Sequence, residues 1–186
     1  GVRTVTTENM KGAVKAGKKI SGAEFCAPMQ AFFAHVQELA DKCDHVFLPT
    51  CLEAKEPDRD AFRYYCYSTQ FAVSLALGMR SLNLGRRVIT PVIDHRSFQS
   101  KIELFMMLRS ILGSGYWEIY NAYESALAFY HDSQEHLHHV FEREKMIDGD
   151  LNVVLLGRPY TVLEPAMNKG IPDIFGNLGI KTFFQD

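Results

Sequence analysis

The sequence predicts an α/β fold in which a parallel, Rossmann-like sheet is flanked by helices. Short apolar runs typical of buried strands alternate along the chain with longer runs in which apolar residues recur at helical spacing. Strands that are separated by helices have the crossover connections that a parallel sheet requires. With 186 residues, of which 47% are hydrophobic, the chain can bury one good core, or one domain and part of another.

Four short apolar runs are predicted to be strands. The first ends at Pro49, which has no backbone N–H to donate to a neighbouring strand. The charged segment 52–62 that follows contains Pro57 and is predicted to be a loop. The predicted strands are residues 45–48, 87–93, 152–156 and 180–184.

Longer segments with apolar residues on one stripe are predicted to be helices. Pro28 suits a first-turn position, and Ser97 suits an N-cap. Gly85 and Gly149 suit helix ends, and Gly113-Ser114-Gly115 separates two consecutive helices. The predicted helices are residues 28–42, 67–82, 97–112, 116–146 and 168–178.

The domain organisation is predicted to change near residue 150. Residues 1–150 form one α/β domain, and residues 151–186 form a strand-helix-strand unit that either completes the sheet or opens a second, similar lobe. The chain stops at Asp186, directly after a predicted strand, as we expect of a domain cut from a longer polypeptide.

The composition argues against several partners and locations. The 20 basic and 22 acidic residues nearly balance, which predicts no binding to nucleic acid or to a membrane surface. The longest apolar stretch, near residues 71–79, is too short to span a bilayer, and the N-terminus lacks the apolar core of a signal peptide. Four cysteines in 186 residues do not make a disulfide scaffold. We therefore expect reduced thiols in a cytoplasmic protein.

Three cysteines lie at predicted boundaries between elements. Cys26 precedes a helix, Cys51 follows a strand, and Cys66 lies in the aromatic stretch Tyr64-Tyr65-Cys66-Tyr67. Ligands of open α/β sheets bind beyond the carboxyl ends of the strands, so three such thiols could converge on one soft metal centre with an open coordination position. The spacing matches no compact zinc or ferredoxin pattern, and on the pattern alone buried, unreactive cysteine is the favoured interpretation.

Other chemical motifs are rejected on the sequence. His131, His136, His138 and His139 cluster with Glu135 on the long helix, but a di-iron bundle needs a second Glu-x-x-His pair, so a solvated helix face is favoured. The chain contains no Gly-x-x-x-x-Gly-Lys-Ser/Thr loop and no Gly-x-Ser-x-Gly elbow, so neither nucleotide hydrolysis nor hydrolase chemistry is predicted.

Two groups of motifs carry a resemblance to a known family. The first is Leu155-Leu156-Gly157-Arg158-Pro159-Tyr160 with Asn168-Lys169-Gly170-Ile171-Pro172 and Leu178-Gly179-Ile180. The second is Cys26-Ala27-Pro28 with His35-Val36 and Asp44-His45-Val46-Phe47-Leu48-Pro49. Together these motifs resemble the 2-hydroxyacyl-CoA dehydratase-like family, and in particular its large activator-related proteins, in which an ATPase activator module is fused to dehydratase-like domains.

The resemblance implies two related α/β lobes and an iron–sulfur cluster, most simply of the 4Fe-4S type. It places Cys26 and Cys51 close to cysteine positions of the family, and Cys66 is the best remaining third ligand. Cys43, at a helix end, is expected to pack inside. The resemblance also favours a second lobe for residues 151–186.

The turn after the third predicted strand is a candidate cofactor-binding element. Arg158 offers a planar fork to a phosphate or carboxylate, and Tyr160 lies beside it, although a strand-end turn with a surface ion pair explains these residues equally well. Asn168 is expected to cap the helix that follows it.

Two function classes remain open. The resemblance implies a dehydratase-like domain that accepts electrons from an ATP-hydrolysing activator module, for low-potential reduction or for 2-hydroxyacyl-CoA dehydration by a lyase with an acyl-CoA substrate. Such a domain would have no ATPase activity of its own. The alternative is a non-catalytic module that lacks a cluster and docks partner subunits, and dimer formation is left open.

Overall fold

The computed structural model describes residues 2–7, 10–53, 64–85, 87–94, 97–145 and 151–184. The chain is a mixed α/β structure in which helices outweigh short parallel strands, and it contains two compact units, Gly1–Ile119 and Tyr120–Asp186. The described strands form separate parallel pairs, not the single four-stranded sheet that the sequence predicts. The predicted change of domain near residue 150 stays a prediction.

The predicted helices of the first unit are confirmed to within a few residues. They are α2 (Ala27–Lys42), α3 (Tyr67–Gly78), which is followed by a 3-10 turn (Arg80–Leu82), and α4 (Phe98–Leu112). Ser97 caps α4 as expected, since its side chain accepts a hydrogen bond from the backbone N–H of Ser100 at 3.2 Å. The long helix α5 (Tyr116–Lys145) begins in this unit.

One helix of the first unit, α1 (Ala13–Ser21), was not predicted from the sequence. Its buried residues are Ala13 and Gly17, and its lysines are exposed, so the segment is amphipathic; however, a glycine such as Gly17 is unfavourable inside a helix and argues against a helix there. A Cβ atom at Gly17 would overlap the carbonyl group of Gln30, which shows that Gly17 packs directly on the backbone of α2. Two helices can approach this closely only where one of them lacks a side chain.

The strands of the first unit form one interrupted parallel ladder. β1 (Val46–Phe47) pairs with β3 (Val88–Ile89), and β2 (Thr50–Cys51) pairs with β4 (Val92–Ile93) in the same register. This register sets Pro49 opposite Pro91, and neither proline has an N–H to donate, so the regular ladder breaks there. The backbone nevertheless stays paired across the break, since the N–H of Thr50 donates to the carbonyl of Pro91 at 2.8 Å. The first strand thus ends before Pro49, as predicted, and the strand β2 that resumes the pairing at Thr50 was not predicted.

The hydrophobic core of the first unit lies between α2, α3 and the strands. Phe33, Val36 and Leu82 have the largest fully buried side chains. Phe33 contacts Phe25 edge-to-face with 5.3 Å between ring centroids. The core thus holds both helices that follow candidate cysteines, α2 after Cys26 and α3 after Cys66.

The second unit contains the rest of α5 and a strand-helix-strand segment. β5 (Asn152–Leu155) pairs in parallel with β6 (Lys181–Phe184), and α6 (Pro159–Val162), α7 (Pro165–Asn168) and α8 (Ile171–Asn177) lie between them in the chain. The predicted helix 168–178 begins later than expected, because Lys169 and Gly170 adopt left-handed φ angles of 58° and 73°.

Within this unit, α5 contacts β6 through one aromatic and one charged pair. Phe141 and Phe183 meet edge-to-face at 5.1 Å between centroids, and Lys181 Nζ lies 2.8 Å from Glu144 Oε2. The ion pair lowers the pKa of the Glu144 carboxyl, chiefly through the hydrogen bond from Lys181. No helix in the described ranges is both long enough and apolar enough to cross a membrane.

Replacing Gly17 with alanine tests the contact between α1 and α2. We expect Gly17→Ala to lower the free energy of unfolding by about 1–3 kcal/mol, because the new methyl group forces the two helix backbones apart. Gly78→Ala is the matched control, since nothing lies within 4 Å of a Cβ at that position. Chemical denaturation followed by circular dichroism measures both. Equal stability of Gly17→Ala and the wild type would contradict the close packing.

Candidate functional site

Cys51 lies at the end of β2, where the chain leaves the parallel ladder. It pairs with Ile93 of β4 and is about half-buried. Burial raises the pKa of the Cys51 thiol, because desolvation disfavours the thiolate. The structure therefore places this cysteine as the last residue of a strand and not after it, and shows that the protein partly shields its sulfur from water.

The chain returns to this edge and runs antiparallel to the segment that contains Cys51. Glu53 and Tyr64 form an antiparallel bridge, and the backbone N–H of Tyr65 donates to the carbonyl of Leu52 at 3.1 Å. Continuing this register by one residue beyond Leu52 and Tyr65 sets Cys51 opposite Cys66. The antiparallel pairing that the described residues show therefore lies at Leu52–Glu53 and Tyr64–Tyr65, directly beside two of the three predicted cysteines.

Cys66 is the N-cap residue of α3. Its carbonyl accepts the first helical hydrogen bond, from the N–H of Gln70 at 3.0 Å, and its Sγ lies 3.1 Å from Thr69 Oγ1. The side chain of Gln70 also donates to the carbonyl of Tyr65 at 2.7 Å, which ties the start of the helix to the returning segment. These contacts hold the backbone of Cys66 at the edge where β2 ends.

Cys26 occupies the same kind of position at the start of α2. Its backbone angles, φ −62° and ψ 154°, nearly equal those of Cys66, and its carbonyl accepts a hydrogen bond from the N–H of Gln30 at 3.0 Å. Unlike Cys66, Cys26 is exposed. The unpaired N–H groups of a helix N-terminus favour negative charge, so both helices offer a favourable field to an anionic sulfur or sulfur-bound group.

Thr69 and Gln70 are site residues that the sequence analysis missed. The spacing Cys66-x-x-Thr69 equals that of a capping box, in which the N-cap side chain and the residue three positions later interact. Reading cysteine as an N-cap residue would have suggested the contact. Cysteine is not among the preferred capping residues, and for this reason the signal was overlooked.

The candidate donors are cysteine thiols. Among the described residues, no group of three or more His, Cys, Asp or Glu side chains is arranged to hold one metal ion. A single ion needs all its donors within bonding distance of one point, whereas the thiolates of a cluster bind different irons and lie farther apart. All four cysteines are thiols, and two of the three candidates begin helices whose N-termini favour an anionic group.

Cys43 lies apart from the predicted ligand set. It caps the C-terminus of α2, is half-buried, and its carbonyl accepts a hydrogen bond from Arg87 Nη1 at 3.2 Å. A helix C-terminus carries the opposite end of the helix dipole and disfavours an anionic sulfur.

In the second unit, Arg158 and Tyr160 surround the start of α6. Arg158 is exposed and is the N-cap residue, and its carbonyl accepts the N–H of Thr161 at 2.7 Å. Tyr160 is half-buried in the first turn of α6. The guanidinium is accessible for a phosphate or carboxylate, and whether Arg158 and Tyr160 bind a cofactor stays a prediction.

Asn168 does not cap α8 as its N-cap residue, which is a correction to the sequence analysis. The N-cap residue is Gly170, whose N–H donates to Asn168 Oδ1 at 2.9 Å. Asn168 Nδ2 donates to the carbonyl of Val162 at 3.0 Å. The side chain therefore joins the end of α6 to the start of α8, because both partners lie within reach of one amide.

The histidines of α5 lie on an exposed helix surface, as predicted. His131, His136, His138 and His139 are all exposed, and His139 Nε2 lies 3.8 Å from Glu135 Oε1 one turn away. This i, i+4 pair is an ordinary surface contact.

The comparison with protein families gives one match over the whole chain. A family model described as CoA enzyme activase uncharacterised domain (DUF2229) matches residues 1–186. No curated protein and no solved structure matches the chain.

The raised pKa of Cys51 predicts slow alkylation at neutral pH. Only the thiolate reacts with iodoacetamide. We therefore expect the alkylation rate of Cys51 to increase with pH in both states, but to do so at a higher pH in the folded chain than in denaturant. Mass spectrometry of the peptide that contains Cys51, across a series of pH values, gives both profiles. A folded profile at the same pH as the denatured one, or at a lower pH, would contradict the role of burial.

Proposed function

The chain belongs to the CoA enzyme activase domain family, and on this premise we propose that it is an iron–sulfur-binding, dehydratase-like domain of an activator-related protein. In this proposal it accepts electrons from an ATP-hydrolysing activator module. The electrons serve low-potential reduction or the dehydration of a 2-hydroxyacyl-CoA. The family supports an activase-related role and an enzyme partner, and the cysteine geometry supports the cluster.

The observation that carries the proposal is the antiparallel return of the chain at Glu53 and Tyr64, whose register, extended by one residue past Leu52 and Tyr65, would set Cys51 opposite Cys66. Cys51 and Cys66 are 15 positions apart in the chain, so the local sequence does not bring them together. The antiparallel return of the chain is what directs both toward one edge. Cys26 is the third ligand in this proposal. It begins a helix with the same backbone geometry as Cys66, which aims backbone N–H groups toward negative charge.

The bound cluster would supply one-electron chemistry and an open iron position for a substrate oxygen. The protein residues supply its environment. Partial burial of Cys51 lowers the local dielectric, and the Thr69 hydroxyl is placed to hydrogen-bond the sulfur of Cys66. Arg158 and Tyr160 are candidates for binding the phosphates of an acyl-CoA.

The free energy for electron delivery comes from the partner in this proposal. The sequence contains no phosphate-binding loop with which the chain itself could use ATP. Lowering a one-electron potential by 30 mV costs about 0.7 kcal/mol. Coupling to a hydrolysing partner can supply the several kcal/mol that a larger shift requires.

A second candidate function, docking of a partner without a cluster, is favoured by the exposed apolar surface of α3. Ala72, Val73 and Ala76 bury one side of this helix, whereas Tyr67, Phe71 and Leu77 are exposed. A helix that is apolar all round is usually covered. The presence or absence of a cluster separates the two candidates.

Cluster assembly should depend on the three candidate cysteines. After anaerobic reconstitution with iron and sulfide, we expect broad visible absorbance, and Cys26→Ser, Cys51→Ser and Cys66→Ser should each lose most of it. Removal of one thiolate leaves an iron without its ligand. Cys43→Ala is the matched control and should keep the absorbance. A colourless wild-type protein would favour the docking module instead.

The isolated chain should accept electrons without hydrolysing ATP. We expect no ATP turnover above a control without protein, since no phosphate-binding loop is present in the sequence. In the reconstituted protein, reduction of the cluster should become faster only when the activator and ATP are both added. ATP turnover by the isolated 186-residue chain would count directly against this assignment.

A further inference from the structure

The antiparallel return of the chain beside Cys51 and Cys66 also matters when no cluster is bound. The Tyr65 N–H donates to the Leu52 carbonyl, which is one of the two bonds of a hydrogen-bonded position of an antiparallel ribbon. Hydrogen-bonded and non-hydrogen-bonded positions alternate along such a ribbon. The Glu53–Tyr64 bridge lies on one side of this position, and an extension of the ribbon by one residue on the other side would set Cys51 opposite Cys66.

A non-hydrogen-bonded position is the one at which opposed backbones come closest. The Cα atoms of directly opposed residues there are about 4.5 Å apart, and their side chains leave the ribbon on the same face. A disulfide requires Cα atoms about 4.4–6.8 Å apart. In a ribbon extended by one residue, the positions of Cys51 and Cys66 would therefore suit a covalent bond between their sulfurs.

We propose that, in the cluster-free chain, a low-molecular-mass disulfide oxidises Cys51 and Cys66 to an intramolecular disulfide, so that the pair is a reversible thiol switch. The inference concerns the chain without a cluster and does not rest on the proposed function. If that function holds, the disulfide withdraws two of the three ligands and blocks cluster assembly until it is reduced.

The reaction is two successive thiol–disulfide exchanges. One cysteine thiolate of the pair attacks the small disulfide, forms a mixed disulfide and expels one small thiolate. The second cysteine thiolate then attacks the protein sulfur of the mixed disulfide and expels the other small thiolate. Two S–H groups of the protein are oxidised to one S–S bond, and the small disulfide is reduced to two thiols that take up the two protons.

The other two cysteines lie at the two ends of α2 and not in a strand pair. Cys26 is exposed at the start of α2, so the same oxidant is expected to convert it to a mixed disulfide only. Cys43 is closer to Cys51 along the chain than Cys66 is, so ring closure in an unfolded chain would favour the Cys43–Cys51 bond. Selective formation of the Cys51–Cys66 bond thus reports the folded register.

To test the proposal, the metal-free folded protein is oxidised with glutathione disulfide. The remaining thiols are then blocked, and the tryptic peptides are mapped without reductant. Cys43 and Cys51 share the tryptic peptide 43–55, and Cys66 lies in peptide 64–80. We therefore use Cys43→Ser beside the wild type. The expected product joins these two peptides with the loss of two hydrogen atoms, and dithiothreitol separates them again.

Three comparisons decide the outcome. Cys26→Ser should keep the link, Cys51→Ser should abolish it, and oxidation of the wild type in denaturant should shift the product toward the Cys43–Cys51 bond. Two results would overturn the proposal. One is that folded Cys43→Ser forms only mixed disulfides, and the other is that Cys26 bonds to Cys51 or Cys66 in place of the Cys51–Cys66 disulfide. The result is independent of reconstitution, so a protein that forms the link but binds no cluster would refute the proposed function alone.

Discussion

The parallel ladder between residues 46–51 and 88–93 is the interaction on which the site of the first unit depends. Its hydrogen bonds continue past the opposed prolines, so Cys51 is held at the end of a backbone that is paired from Val46 onward. The returning segment then pairs with the residues directly after Cys51 and brings Cys66 to the same edge. Without the ladder, neither the position of Cys51 nor the start of α3 would be defined.

The N-termini of α2 and α3 determine the electrostatic environment of Cys26 and Cys66. Cys26 and Cys66 both begin helices that enter the hydrophobic core, so their positions are held by packing and not only by local hydrogen bonds. Helix N-termini favour negative charge, and the thiolate is the form that binds metals and attacks disulfides. In the two proposals, these features stabilise the anionic sulfur that binds the cluster or attacks a disulfide.

The packing of α1 shows why part of the fold was invisible in the sequence. Most helices were predicted within a few residues, since large apolar side chains such as Phe33 and Val36 recur at helical spacing. α1 buries Ala13 and Gly17, and its contact with Gln30 depends on the absence of a side chain. Glycine is unfavourable inside a helix, so Gly17 argues against a helix in the sequence, although its missing side chain is what allows the contact with α2.

The sequence by itself determined the alternation of helices and strands, the parallel pairing and the placement of three cysteines at element boundaries. Local periodicity and turn chemistry are sufficient for such features, because they depend on residues that are near one another in the chain. Only the tertiary structure decided that parallel pairing resumes beyond Pro49 and that residues 64–65 return antiparallel to residues 52–53. Register between distant segments depends on which backbone groups find partners, and no local pattern around either segment contains that information.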